Sequence, residues 1–176
     1  MIYLDMDGVI ADFFHGVARR FGASHWKSIK DREVAFASLA NTNFFDTLDC
    51  FYSDDNVNLS AAIVEHVKLV AWQEDIGWGI CSSPMRGDTM NSAYHKRVWL
   101  QRMGFMPEVE NCIFTGNKHK YAMSKLDYRP NILIDDKPEN IHRWEKAGGI
   151  GIRFQCNEDD VFEYLFEEIN EAVKCR

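Results

Sequence analysis

Four short apolar runs in this chain each stop at a polar cluster, and helical patterns separate them. Met1-Ile2-Tyr3-Leu4 stops at Asp5, and Ile76-Gly77-Trp78-Gly79-Ile80-Cys81 stops at Ser82-Ser83-Pro84. Cys112-Ile113-Phe114 leads into Thr115-Gly116-Asn117-Lys118, and Asn131-Ile132-Leu133-Ile134 into Asp135-Asp136. A fifth run, Gly149-Ile150-Gly151-Ile152-Arg153-Phe154, reads as the last strand. Helical patterns cover about residues 60–73, 89–103, 139–146 and 158–173. Strands alternating with helices predict an α/β fold: a Rossmann-like parallel sheet flanked by helices. Open sheets of this kind bind ligands at the carboxyl ends of their strands. One rim of the sheet is therefore expected to collect Asp5, Asp7, Ser82, Lys118, Asp135 and Asp136.

Residues 14–59 break this rhythm. They contain no clear strand but many aromatics: Phe21, Trp26, Phe36, Phe44, Phe45, Phe51 and Tyr52. The segment follows directly on the first polar cluster. It is read as a small helical cap inserted after the first strand and lying over the rim. Residues 1–13 and 60–176 would then form the core. The alternative is a pair of ordinary core helices with a long connection.

Composition narrows the function classes. A chain of 176 residues with 46% hydrophobic content suits one globular domain with a full core. Its net charge of −7 disfavours a long nucleic acid or an anionic membrane as partner. An anionic substrate would need local positive charge instead. No apolar run approaches the length of a membrane span. The first strand is expected to begin at once, and no signal peptide is expected before it. Cys50, Cys81, Cys112, Cys156 and Cys175 are odd in number and contain no Cys-x-x-Cys. They read as reduced thiols, mostly buried, in a cytoplasmic protein.

The first cluster carries the sharpest chemistry. Alternate residues of a strand share a face, so Asp5 and Asp7 can point at one site, with Gly8 as the bend that follows. Two adjacent carboxylates repel unless a cation or a shared proton relieves them. Mg²⁺, which takes oxygen ligands, is the expected cofactor. Asp-x-Asp-Gly is also an ordinary turn former, and the other clusters decide between the two readings.

Asp5-Met6-Asp7-Gly8-Val9, Ser82, Lys118 and Asp135-Asp136 follow one another in the order of four motifs. In this the chain resembles the haloacid dehalogenase superfamily of phosphotransferases. The resemblance implies an aspartate nucleophile, Asp5, that attacks phosphorus. It implies that Asp7 protonates the leaving alcohol and then activates water, its backbone carbonyl also binding metal. The phosphatases of that superfamily have this second aspartate, and its dehalogenases lack it. Ser82 would bond a phosphoryl oxygen, and Lys118 would supply fixed positive charge. Asp135 and Asp136 would complete the metal site together with Asp5 and Asp7, with Asp136 favoured as the direct ligand. Simpler roles exist: Ser82 and Ser83 can cap a helix, Lys120 can replace Lys118, and Asp135-Asp136 can cap the next helix.

The run Asp5-Met6-Asp7-Gly8-Val9-Ile10-Ala11-Asp12-Phe13 further resembles the opening of the 5'(3')-deoxyribonucleotidases. So do Ile80-Cys81-Ser82-Ser83-Pro84, with Ser where Thr is usual, and Leu133-Ile134-Asp135-Asp136-Lys137-Pro138, with Lys where Arg is common. Tyr94-His95-Lys96-Arg97-Val98-Trp99 matches a Tyr-x-Lys-x-x-Trp segment. Asn43-Phe44-Phe45 lies where that family's insertion carries base-stacking aromatics. A nucleobase is expected to bind against Phe44 or Phe45, with Phe13 as the other wall. Arg86 is expected near phosphate or base, Lys96 near phosphate, and Lys137 beside the metal acids. For Lys96 the alternative is a solvated helix face. The expected substrate is a small phosphorylated metabolite, a (deoxy)nucleoside monophosphate. A sugar phosphate is the alternative, followed by a non-catalytic phosphate-binding role. A homodimer is compatible with this reading.

Overall fold

The computed structural model describes residues 1–176. Five parallel strands form one sheet in the order β3-β2-β1-β4-β5. They are β1 (Ile2–Leu4), β2 (Trp78–Ser82), β3 (Cys112–Phe114), β4 (Ile132–Asp135) and β5 (Ile150–Arg153). The expected α/β class and parallel sheet are thus found. Every residue of β1 and β4 is buried, because helices cover both faces. That is why these strands read as continuous apolar runs rather than alternating ones. Connections run from β1 outward to β2 and β3, then return to the other side at β4. The strand order therefore reverses between β1 and β4, the place where open α/β sheets bind ligands.

Six α-helices surround the sheet: α1 (Phe13–Arg20), α2 (Arg32–Ala37), α3 (Leu59–Gln73), α4 (Thr89–Met103), α5 (Pro138–Lys146) and α6 (Phe166–Lys174). Local chemistry sets several of their ends. Asp12 caps α1 by accepting from the His15 amide at 3.2 Å, and Asn58 caps α3 through Ala61 at 2.9 Å. Gly104, at φ +74°, closes α4, and Pro138 opens α5 at a position where no backbone donor is needed. The expected helix near 158–173 begins as a π-helical turn, Val161–Leu165, that runs into α6.

Segment 14–59 holds no strand of the sheet. It is made of α2, most of α1, and the 3₁₀ turns Trp26–Ser28 and Phe44–Thr47. It has no separate core. Leu39, Phe44, Phe45, Leu48, Cys50 and Phe51 belong to the same cluster of 32 buried residues as Ile2, Leu4 and Ile134. The boundary expected at residue 13 falls at the first residue of α1. Polar ties fix the segment to α4: Trp99 Nε1 donates to the Leu48 carbonyl at 2.8 Å, and Asp88 Oδ2 accepts from the Asn41 amide at 2.9 Å. No helix is long and apolar enough to cross a membrane.

Candidate active site

Parallel register brings the acids together. Leu4 pairs with Ile134, so the next residue along each strand, Asp5 and Asp135, lies side by side across the β1–β4 switch. The Asp5 amide donates to the Ile134 carbonyl at 2.8 Å and holds the two ends in line. Asp136 follows at once, and oxygens of Asp5, Asp135 and Asp136 all lie within 4.8 Å of one another. All three residues are buried. Gly8 makes the bend beyond them at φ +78°. A Cβ there would sit 2.9 Å from Phe14 Cε2 and 3.2 Å from Asp136 Cγ, so only glycine admits this close approach.

Lysines balance this charge. Lys118 Nζ lies 2.9 Å from Asp5 Oδ2 and 2.5 Å from Asp135 Oδ2. Lys118 is itself buried, and Lys120 is exposed. Lys118 is therefore the lysine of this site. Burial opposes its charge, but Asp5 and Asp135 outweigh it and hold the ammonium protonated well above its usual range. Burial likewise disfavours ionised Asp5, yet Lys118, Lys96 and Lys137 together hold its carboxyl below the usual range. Asp135 moves the other way, raised by burial and by the neighbouring Asp5. Burial, with Asp5 close by, pushes Asp136 up to about 8.

The donor set suits a hard divalent cation, because all three groups are carboxylates within reach of one ion. The acids are not equally available. Asp135 Oδ1 accepts from the Lys137 amide at 2.9 Å and from Asn140 Nδ2 at 3.0 Å, and its Oδ2 faces Lys118. Asp136 Oδ1 is buried and has no hydrogen-bond partner. An orphaned carboxylate oxygen is costly unless something absent satisfies it, which makes Asp136 the better direct ligand. The Asp7 side chain is not in this trio. It turns instead to Lys96, whose Nζ lies 2.8 Å from Asp7 Oδ2, and its Oδ1 is also buried and unpartnered.

Lys96, expected near phosphate with a solvated helix face as the alternative, does not face solvent. It is 0% exposed, on the inward stripe of α4 with Ser92, Ala93, Trp99 and Leu100. Besides Asp7, it donates to Ser82 Oγ at 3.0 Å and to the Ser83 carbonyl at 2.8 Å, and it lies 4.8 Å from the Phe45 ring centroid. Ser82, expected just beyond its strand, is the last residue of β2 and fully buried.

A cavity of about 520 Å³ opens beside these groups. Asp7, Ser83 and Lys137 bring the polar cluster to its surface. Phe13, Phe36, Leu39 and Phe45 are apolar members of its lining, and Arg86, Asn140 and Arg143 are polar ones. The Phe13 ring runs nearly parallel to Phe36 (9°, 5.9 Å between centroids) and to Phe45 (14°, 6.3 Å). Phe44, expected to stack on a base, does not line the cavity. It is buried in the core, edge-on to Phe13 and Phe45. Successive residues of a 3₁₀ turn are rotated by a third of a revolution, so Phe44 and Phe45 point in different directions.

Phe36, noted above only as an aromatic of segment 14–59, and Leu39, Asn140 and Arg143 also line the cavity. Asn140 and Arg143 follow Lys137 at intervals of three, so the helical pattern beginning near Pro138 already placed them on one face. Phe36 and Leu39 have no comparable signal. No protein-family model matches this chain, and no curated protein matches it either.

Proposed function

We propose that this chain is a Mg²⁺-dependent phosphomonoesterase of the haloacid dehalogenase type that acts on (deoxy)nucleoside monophosphates. One observation carries the reading: the buried trio Asp5, Asp135 and Asp136, with Lys118 bridging Asp5 and Asp135, adjoins a cavity whose surface includes Asp7. In the proposed reaction Asp5 attacks phosphorus and forms an aspartyl-phosphate, while the bond from phosphorus to the ester oxygen breaks. Lys118 favours this step by keeping Asp5 ionised. Asp7 gives the departing alkoxide a proton. It then takes a proton from water as the water oxygen attacks phosphorus, which frees phosphate and restores Asp5. Lys96 orients Asp7 by holding Oδ2 and leaving Oδ1 unpartnered for the proton. Asp136, with Asp5 and Asp135 beside it, would hold the divalent cation, which when bound supplies positive charge for the phosphoryl oxygens.

The apolar wall favours a nucleobase over a sugar. Every cavity residue from α1, α2 and the segment up to Phe45 is apolar: Phe13, Phe36, Leu39 and Phe45. A sugar phosphate would need hydroxyl-bonding groups there. We place the activity in a reducing cytoplasm, in keeping with five free cysteines, four of them buried. The test is phosphate release from nucleoside monophosphates and sugar phosphates, with Mg²⁺ or with chelator. Mg²⁺-dependent release selective for deoxynucleotides is the expected result. Release from sugar phosphates alone would overturn the substrate, and no release from folded, metal-supplied protein would overturn the activity.

A further inference from the structure

The cavity carries more positive charge than one phosphoryl group requires. Its lining includes three cations, Arg86, Lys137 and Arg143, against a single carboxylate, Asp7. None of the three forms a salt bridge, although the chain has 27 acidic residues and a net charge of −7. The inner site is already close to balance. On the proposed reading, three ammoniums (Lys96, Lys118, Lys137) and one divalent cation face four carboxylates (Asp5, Asp7, Asp135, Asp136). That leaves a small positive excess for the phosphate that is transferred. Arg86 and Arg143 are additional to it.

Their placement is ordered. Lys137, Asn140 and Arg143 recur every third residue along α5 and its cap, and all line the cavity. Six residues of helix separate Lys137 from Arg143 by about 9 Å along the axis. Arg143 is steadied by Nη2, which lies 3.1 Å from His119 Nδ1, and His119 directly follows the catalytic-site Lys118. The rest of its planar donor fork carries no bond to protein, which suits paired recognition of a phosphate. Phe13, Phe36 and Phe45, which line the same cavity, offer a face for a base.

We propose that Arg86 and Arg143 form a second anion subsite, and that the preferred substrate is a nucleoside bearing two phosphate groups. One phosphate is hydrolysed at Asp5, and the other is held at the rim. The proposal rests on the phosphatase reading for its turnover but not for its binding.

The experiment compares deoxyadenosine 3',5'-bisphosphate with deoxyadenosine 5'-monophosphate. In the wild-type chain with Mg²⁺, kcat/KM should favour the bisphosphate by at least about tenfold. Arg143→Ala and Arg86→Ala should each reduce that preference by about tenfold, with Arg143→Lys restoring part of it. A ratio near one in the wild type, or a ratio unmoved in both alanine variants, overturns the subsite. Calorimetric binding of the two nucleotides separates this failure from failure of the phosphatase reading. If nothing is hydrolysed, tighter binding of the bisphosphate that is lost in Arg143→Ala upholds the subsite while the activity falls. Equal affinities, or no binding of either nucleotide, remove the subsite as well.

Discussion

The two ends of the sheet both carry cavities, and the larger one lies at the end without the acid trio. At the amino end, a groove of about 690 Å³ is bordered by Met1, Asp75, Gly77, Asp127, Arg129 and Arg176. Three of its charged residues pair with one another: Arg176 Nη2 and Arg129 Nε lie 3.7 and 3.9 Å from Asp127 Oδ2, which is half solvated. Such pairs cost little to form and contribute little. At the carboxyl end the cavity is smaller, but its neighbouring charges are buried, crowded and incompletely satisfied. Burying Asp136 beside Asp5 opposes folding unless a ligand repays it. Unrelieved electrostatic cost, rather than volume, separates a site from a surface hollow.

Removing the proposed nucleophile tests this contrast most severely. Asp5→Asn should lower phosphate release by more than about 10³-fold, measured at saturating substrate. Near-native turnover in that variant would sink the assignment. Metal binding by the trio is read through stability. Mg²⁺ at a hundred times its dissociation constant should stabilise the wild-type chain by about 2.7 kcal/mol in thermal or denaturant unfolding. Asp136→Asn, which removes the charge beside the orphaned oxygen, should lose most of that gain. Equal stabilisation of both proteins would mean that the cation does not sit in the trio.

The acid trio was legible because strand ends are legible. Runs such as Ile132-Leu133-Ile134 are apolar throughout only where both faces are covered, so the first acid after each marks the rim. What remained hidden depended on partners distant in sequence or on single-residue rotations. Lys96 and Asp7 lie 89 positions apart, and nothing local shows that a lysine on α4 turns inward to meet an aspartate after β1. Lys118 differs from Lys120 only by its place in the turn Lys118–Tyr121. The segment before α3 was legible as lacking strands but not in its details. Short turns have no period to read, so nothing in the sequence separates Phe36 and Phe45, which line the cavity, from Phe44, which does not.

That aromatic wall supplies a milder test. Phe45→Ala removes a ring beside Phe13 and Lys96 without touching any group of the acid trio. KM for a nucleoside monophosphate should rise by about tenfold, and KM for a small phosphate ester without a base should change much less. Equal losses on both would turn the wall into ordinary core.

The smallest effect belongs to the amino end, and it decides whether the contrast is real. Asp127→Asn breaks the ion pairs to Arg129 and Arg176 in the larger groove. These pairs are partly exposed, so stability should fall by no more than about 1 kcal/mol. Turnover should stay within about twofold of wild type, because the groove and the acid trio lie at opposite ends of the strands and share no residue. A tenfold loss of turnover with unchanged stability would show that the two ends are coupled through the sheet. Buried unpaired charge would then no longer suffice to tell the working end from the idle one.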